Sequence, residues 1–300
     1  MKLGGVGLEG EDKEQFNQMR MRLAELSTKF GNNVLDSTKA YSYTIEDASL
    51  VEGVPASAKA MWAQAHIASL EGDKPDLDPE KGPWRLTLDM PSYIAVMSHL
   101  PNRSIREKVY KAYLTRASDQ SSNPELDNVP VLLEILSLKQ KMAKLLGFEN
   151  YAEQSLSSKV APSVKAVEEL SELILEKALP TAERELAELT ALSKEQGGED
   201  YADLEKLEPW DTTFWSERLK EQKFDLTDEE LRPYFALPNV LEGMFGLVTR
   251  LFNIEVRAAD GEAEVWHPDV RFFNVYDVDT DEHLASFYLD PYSRPENKRG

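Results

Sequence analysis

The class of fold is decided by residues 11–43, which are EDKEQFNQMRMRLAELSTKFGNNVLDSTKAYSY. Apolar side chains recur there at steps of three and four, at Phe16, Met19, Leu23, Leu26, Phe30 and Val34. This spacing places them on one face of a helix. The other face is charged, so we expect a long helix from Glu11 to about Tyr43 that packs on one side.

The same periodicity predicts helices over most of the chain as far as Leu251. They are expected at Ala56–Leu70, Pro91–Leu100, Asp127–Leu146, Asp211–Lys220 and Pro238–Leu251, with shorter ones starting at Ser104 and Thr227. Gly147 is expected to end one of them as the left-handed residue after the last turn.

Two local patterns refine the helix boundaries. Ser104 with Glu107, and Thr227 with Glu230, match the capping box, in which the hydroxyl and the carboxylate each accept a backbone N–H at the start of a helix. On the helix that starts at Ser104, we expect Val109, Tyr113 and Leu114 to be core residues.

The segment from Ser163 to about Glu195 is long, acidic and helical in its pattern. Pro180 lies in its middle, lacks a backbone donor and clashes with the preceding turn. We therefore predict a kink or a division into two helices in near-continuation.

The character of the sequence changes at Ile254. Three segments rich in β-branched and aromatic residues follow: Ile254–Arg257, Val270–Tyr276 and Leu284–Leu289. The last two are expected to form a hairpin. With a short strand at Trp84–Leu88, the sequence predicts a mainly α fold with a small β region near the C-terminus, divided into a helical region 1–253 and a β-rich region 254–300.

Composition excludes several functions. The 300 residues include 54 Asp and Glu against 34 Lys and Arg, a net charge of −20 that repels phosphate backbones and anionic lipids. Nucleic acid and membranes are therefore not expected partners, and short peptides are compatible ones. The absence of cysteine excludes disulfides and thiolate chemistry, and a cytoplasmic location is the default expectation.

Metal and catalytic patterns are weak. The four histidines, His66, His99, His267 and His283, include no pair at i and i+4, so HExxH is absent. They are more typical of packed or surface histidines than of ligands.

Two acidic patterns are also better explained without chemistry. Asp277, Asp279 and Asp281 have the spacing of a calcium loop, but Glu282 and Tyr288 stand where such a loop needs Gly and an acid, so an acidic hairpin turn is preferred. Glu168, Glu172 and Glu176 share one helix face, and a solvated face is preferred to a catalytic one.

Several motifs in order resemble one family. They are the stretches Phe30–Asp36, Leu86–Tyr93 ("LDxPSY"), Arg106–Ser118 ("RExxYxAYxxRAS"), Leu145–Ala152 ("LLGxxNYAE"), Trp210–Arg218 ("WDxxFWSERL"), Glu230–Phe235 ("ELRPYF") and Phe287–Arg294 ("FYxDxYxR"), followed by Lys298–Gly300. Together they are similar to the thimet oligopeptidase and oligopeptidase A family of zinc metallopeptidases, in the bacterial and plant version.

The resemblance implies a helical architecture whose two lobes flank a deep channel that admits short peptides. It also implies a zinc ion, held by the two His of HExxH and a later Glu, that activates water for attack on the amide, with the motif's Glu as general base. In the family this motif follows the terminal signature by a few dozen residues, whereas this sequence stops at Gly300.

We therefore expect a fragment truncated at both ends, with no catalytic or metal-binding residue in this chain, no bound zinc and no activity alone. Substrate-binding residues stay unknown; Trp210, Trp215, Tyr234 and Tyr292 either line the channel or, as we prefer, fill the core. The alternative is a naturally short, non-catalytic relative that binds peptides or a partner protein. A plastid or mitochondrial location is open if a transit peptide is missing, and the oligomeric state is not determined.

Overall fold

The computed structural model describes residues 2–72, 75–292 and 294. The chain forms two compact units, Met1–Lys223 and Phe224–Gly300. Each unit is described by itself below. The mainly α class with a small C-terminal β region is confirmed.

The first unit is built from helices with one two-stranded ribbon. Its elements are α1 (Gly10–Ala40), β1 (Tyr43–Ile45), α2 (Ala56–Ser69), β2 (Trp84–Leu86), α3 (Met90–His99), α4 (Arg103–Leu114), α5 (Val129–Leu145), α6 (Tyr151–Leu156), α7 (Val164–Gln196), α8 (Glu199–Ala202) and α9 (Pro209–Phe224). Strands β1 and β2 are antiparallel.

The main core of this unit lies between α2, β2, α3 and α4. Trp62 and Trp84 are completely buried in it. The indole N–H of Trp62 donates to Ser92 Oγ (3.1 Å), and the same oxygen accepts the backbone N–H of Thr87 (3.0 Å). Ser92 of the "LDxPSY" motif therefore fixes the turn between β2 and α3 by satisfying two buried donors.

Asparagine side chains join α1 to the start of α5. Asn33 Nδ2 donates to Asn128 Oδ1 (2.9 Å), and Asn128 Nδ2 donates to the carbonyl of Phe30 (3.0 Å). Both side chains are buried. The "FxxNVLD" stretch thus supplies a specific, buried polar contact between these two helices.

The structure corrects two predictions for α4. The helix begins one residue before Ser104, and its cap is Asn102, whose Oδ1 accepts the N–H of Ile105 (2.9 Å). Val109 is fully buried and Tyr113 packs at the edge of the core, but Leu114 is 59% exposed. Leu114 is the last residue of the helix, where the core side has ended.

Pro180 does not divide α7, so the prediction of two helices is wrong. One helix runs from Val164 to Gln196, with Ser163 Oγ capping it at the N–H of Ala166 (3.1 Å). Proline removes one i→i−4 hydrogen bond, and the other turns of this 33-residue helix keep the chain helical on both sides of it. Only Leu189, Leu192 and Ser193, near the C-terminal end of α7, are buried among its described residues.

The second unit places one long helix on a three-stranded sheet. It comprises α10 (Asp228–Leu231), α11 (Leu237–Phe252), β3 (Ile254–Ala258), β4 (Arg271–Asp277) and β5 (His283–Leu289). The strands are antiparallel in the order β3-β4-β5, which confirms the predicted hairpin, with Phe273 opposite Phe287. Phe245 of α11 packs on both, at ring-centroid distances of 5.2 and 6.4 Å.

The predicted capping box before α10 is confirmed. Glu230 Oε2 accepts the N–H of Thr227 (2.8 Å), and Thr227 Oγ1 accepts the N–H of Glu230 (3.4 Å). After α11 the chain turns through Asn253 in the left-handed conformation (φ 56°) into β3.

Within the part of the chain that the structure describes, no helix combines the length and the apolar composition that crossing a membrane requires. The division of the chain into a helical region 1–253 and a β-rich region 254–300 stays a prediction.

A pair of substitutions on α4 tests the assignment of its buried side. Val109→Ala removes two buried methyl groups and should lower the free energy of unfolding by about 2 kcal/mol. Leu114→Ala, on the same helix but exposed, should change it by less than about 0.5 kcal/mol. Urea unfolding of both variants measures the difference; equal losses would mean that Leu114 is a core residue after all.

Candidate functional site

A group of charged and aromatic side chains lies where α4 meets the start of α9. Asp211 is fully buried there, and its carboxylate accepts hydrogen bonds from two arginines and one tyrosine. Arg103 donates from Nε and Nη2 (2.8–3.1 Å), Arg106 from Nη2 (3.0 Å), and Tyr201 from its hydroxyl (3.0 Å). We call these four residues the Asp211 cluster.

The guanidinium of Arg106 is completely buried and completely satisfied. Nε donates to the carbonyl of Trp210 (3.0 Å), and Nη1 donates to the carbonyls of Leu100 and Pro101 (2.8 and 2.9 Å). Nη2 contacts the Tyr201 hydroxyl (2.5 Å) besides Asp211. Because an arginine has five N–H donors, none is left for a ligand.

Electrostatics fit a structural ion pair. Burial by itself would raise the pKa of Asp211, but the hydrogen bonds from Arg103 and Arg106 outweigh burial and hold that pKa below its usual value. Aromatic rings close the cluster, with the Arg106 guanidinium 4.3 Å from the centroid of the Phe214 ring. The cluster therefore holds helices together and offers no reactive group to a substrate.

The terminal signature lies on β5 and just beyond it. Phe287 stacks on Phe273 at 5.3 Å between ring centroids, on the side covered by α11, while Tyr288 contacts Phe272 and Trp266 on the opposite side, at 4.9 and 5.1 Å. Aromatic side chains of the strand thus contact neighbouring rings on both faces of the sheet.

An ion pair follows the strand. Asp290 Oδ2 accepts from the indole of Trp266 (3.1 Å) and from Arg294 Nη2 (2.6 Å). Residue Ser293 and the Lys298–Gly300 part of the signature lie outside the described residues.

Two of the four histidines lie in the first unit and two in the second, and each unit is taken by itself. His66 belongs to α2 and His99 ends α3, with Nδ1 at 3.5 Å from Arg218 Nη2. His267 Nδ1 accepts the N–H of Asp269 (3.2 Å), and His283 Nε2 lies 2.8 Å from Ser286 Oγ.

Over residues 2–72, 75–292 and 294, no three or more His, Asp or Glu side chains form a group able to hold a metal ion. The described residues therefore do not fit zinc.

The acidic patterns have structural explanations. One oxygen of Asp277 accepts the N–H of Asp279 (3.0 Å) and both the N–H and the hydroxyl of Thr280 (2.8 and 2.9 Å), which builds the turn between β4 and β5. These hydrogen bonds also lower the pKa of Asp277. Glu168, Glu172 and Glu176 are all exposed on α7.

The four aromatic residues that could either line the channel or fill the core differ in how exposed they are. Trp215 is 3% exposed in a second core cluster formed by α7, α8 and α9, so its core assignment is confirmed. Trp210 packs at the edge of the main core. Tyr234 and Tyr292 are 76% and 52% exposed, so the prediction that they fill the core is wrong for these residues.

Sequence reasoning missed Arg103 and Tyr201. Their partner Asp211 is 108 and 10 residues away, and no periodic pattern links such positions. One chemical signal was available. Asp211 lies in the first turn of a helix after Pro209 and Trp210, and an acid that faces the core there needs a buried cation as partner.

Comparison with known proteins places the chain in a family. The sequence model of Peptidase family M3 matches residues 96–300. Organellar oligopeptidase A, chloroplastic/mitochondrial, from Arabidopsis thaliana is 46% identical over 296 residues, which are 99% of this chain and 36% of that protein.

Two further relatives are similarly identical to this chain. Probable cytosolic oligopeptidase A from Arabidopsis thaliana is 45% identical over 99% of this chain and 41% of its own length. Oligopeptidase A from Escherichia coli strain K12 is 41% identical over 100% of this chain and 42% of its own length. The chain thus spans about two fifths of the length of these relatives.

Neutralising Asp211 should destabilise the first unit strongly. Asp211→Asn leaves the buried Arg106 without its counter-charge, and we expect a loss of about 3 kcal/mol in the free energy of unfolding. Glu134→Gln, which breaks an exposed ion pair with Arg22 instead, should leave the melting temperature nearly unchanged. Comparable effects of the two variants would contradict a structural role for the Asp211 cluster.

The wild-type chain and Asp211→Asn should also differ in how their free energies of unfolding depend on pH. Because the folded-state pKa of Asp211 lies below 3.8, its stabilising contribution is complete above that value and is lost as the pH falls through the folded-state pKa. The stability gap between the wild-type chain and Asp211→Asn should therefore narrow below about pH 4. Urea unfolding of both proteins from neutral to acid pH measures it, and a constant gap would refute the depressed pKa.

Proposed function

The chain belongs to peptidase family M3, and on this premise we propose that the complete protein is a zinc-dependent metalloendopeptidase of the oligopeptidase A type that hydrolyses short peptides. The observation that supports this most is the 46% identity to an oligopeptidase A over 99% of the chain. Agreement of that extent covers nearly the whole chain and not an isolated motif.

In this proposal, residues 1–253 form part of the helical body and residues 254–300 form the β-rich start of the catalytic region. The described residues hold no ligand set for zinc, so no step of hydrolysis is assigned to them. Their contribution is architectural: the helices and the β4-β5 hairpin hold the surroundings of the reaction in place.

The proposed substrates are short peptides, and the proposed compartment is the cytoplasm. The net charge of −20 disfavours nucleic acid and anionic membranes as partners. Since the relatives include a cytosolic and an organellar oligopeptidase A, a plastid or a mitochondrion is the alternative location.

A chimera tests the proposed function. The 300 residues would replace the 301-residue aligned part of the Escherichia coli relative, and cleavage of a quenched fluorescent oligopeptide would be followed. We expect peptide hydrolysis that a chelator abolishes and zinc restores. A folded chimera that binds zinc but does not cleave peptides would contradict the proposal.

The isolated 300-residue chain is the control. We expect it to bind no stoichiometric zinc and to cleave no peptide, as measured by metal analysis and the same assay. Chelator-sensitive turnover by the isolated chain would overturn this part. Tight peptide binding without turnover by a cooperatively melting chain would instead favour a non-catalytic binding protein.

A further inference from the structure

The second unit has a very small core. Of the residues that the structure describes between Phe224 and Gly300, only Ala259, Val270 and Phe273 are fully buried hydrophobic ones. Independent domains of this size need a fuller apolar core or additional cross-links, and the chain has no cysteine. The unit therefore needs further apolar contacts to be stable.

Helix α11 carries the surface that such contacts would cover. Its apolar residues occupy an arc of about 160° when successive residues are placed about 100° apart. The sheet covers only the side that bears Phe245. Beside it runs a second stripe, Val240, Met244, Leu247 and Leu251, with exposures of 41%, 45%, 53% and 64%. We call this stripe the outer face of α11.

The composition of α11 suits a helix as the covering element. Glu242 and Arg250, with Asn239 between them, form a narrow polar side, and no other residue of α11 is charged. Gly243 lies beside the outer face, and a Cβ added there would meet no atom within 4 Å. Its missing side chain lets another backbone approach closely.

We propose that the outer face of α11 packs, in the complete peptidase, against a mainly apolar helix from the part of the polypeptide outside the aligned two fifths. This inference rests on the proposed function. The relatives extend for more than half of their length beyond the aligned residues, and that length supplies the covering element.

Charge argues against a second copy of the chain on this face. Residues 224–300 carry 16 Asp and Glu against 7 Lys and Arg, a net charge of −9. A symmetric contact would bring two such units together, and their like charges would oppose it.

The test introduces one charge on the outer face. Leu247→Glu is made in the isolated chain and in the Escherichia coli chimera, and Asn239→Glu, on the exposed polar side of the same helix, is the matched control. In the chimera, Leu247→Glu should lower Tm by at least about 5 °C, because it buries an unpaired charge. If the chimera cleaves peptides, the substitution should also reduce that activity. In the isolated chain it should leave Tm unchanged, and the control should be neutral in both proteins.

The outcomes separate the inference from the proposed function. An active chimera that tolerates Leu247→Glu would overturn the inference and leave the function standing. A folded but inactive chimera would count against the function, while its Tm values would still decide the inference. A chimera that folds with Leu247 but not with Leu247→Glu would support the inference, whereas an isolated chain whose dimer is broken by Leu247→Glu would overturn it.

Discussion

The ion pair between Asp211 and Arg106 is the interaction on which the first unit depends. Both side chains are fully buried, and together they connect α4, α8, α9 and the turn at Leu100-Pro101. Buried charges are costly unless every hydrogen bond is made. Here the five donors of Arg106 all have acceptors, so only one arrangement of these elements avoids the cost. The pair thereby specifies geometry, whatever its net contribution to stability.

The two units differ in how completely their polar and apolar side chains find partners within the unit. The first contains paired buried charges, a Trp-rich core and buried asparagines that bond to each other. The second contains the helix α11, on which a stripe of apolar side chains beside the sheet stays exposed. This contrast agrees with a chain that spans about two fifths of its relatives, in which one unit carries its own core and the other does not.

Local patterns predicted most of the fold, because periodicity and capping act over a few residues. The helix α1, the capping box of Thr227 and Glu230, and the hairpin β4-β5 all follow from such patterns. The failures came where several local choices compete: Asn102 caps α4 in place of Ser104, and α7 continues through Pro180. The Asp211 cluster could not be predicted, since its charges meet only in the folded chain. The described residues contain no catalytic set, and this absence could likewise be interpreted only through the family resemblance.

The separation of Arg106 from Asp211 along the chain affects the order of folding. The two partners are 105 residues apart. A ribosome that adds about 5–20 residues per second exposes Arg106 for roughly 5–20 seconds before Asp211 emerges. Helix α4 can form locally in that time, but its buried face carries an unpaired cation, which must stay hydrated. We therefore expect the main core of the first unit to close late during synthesis, when α9 supplies the carboxylate.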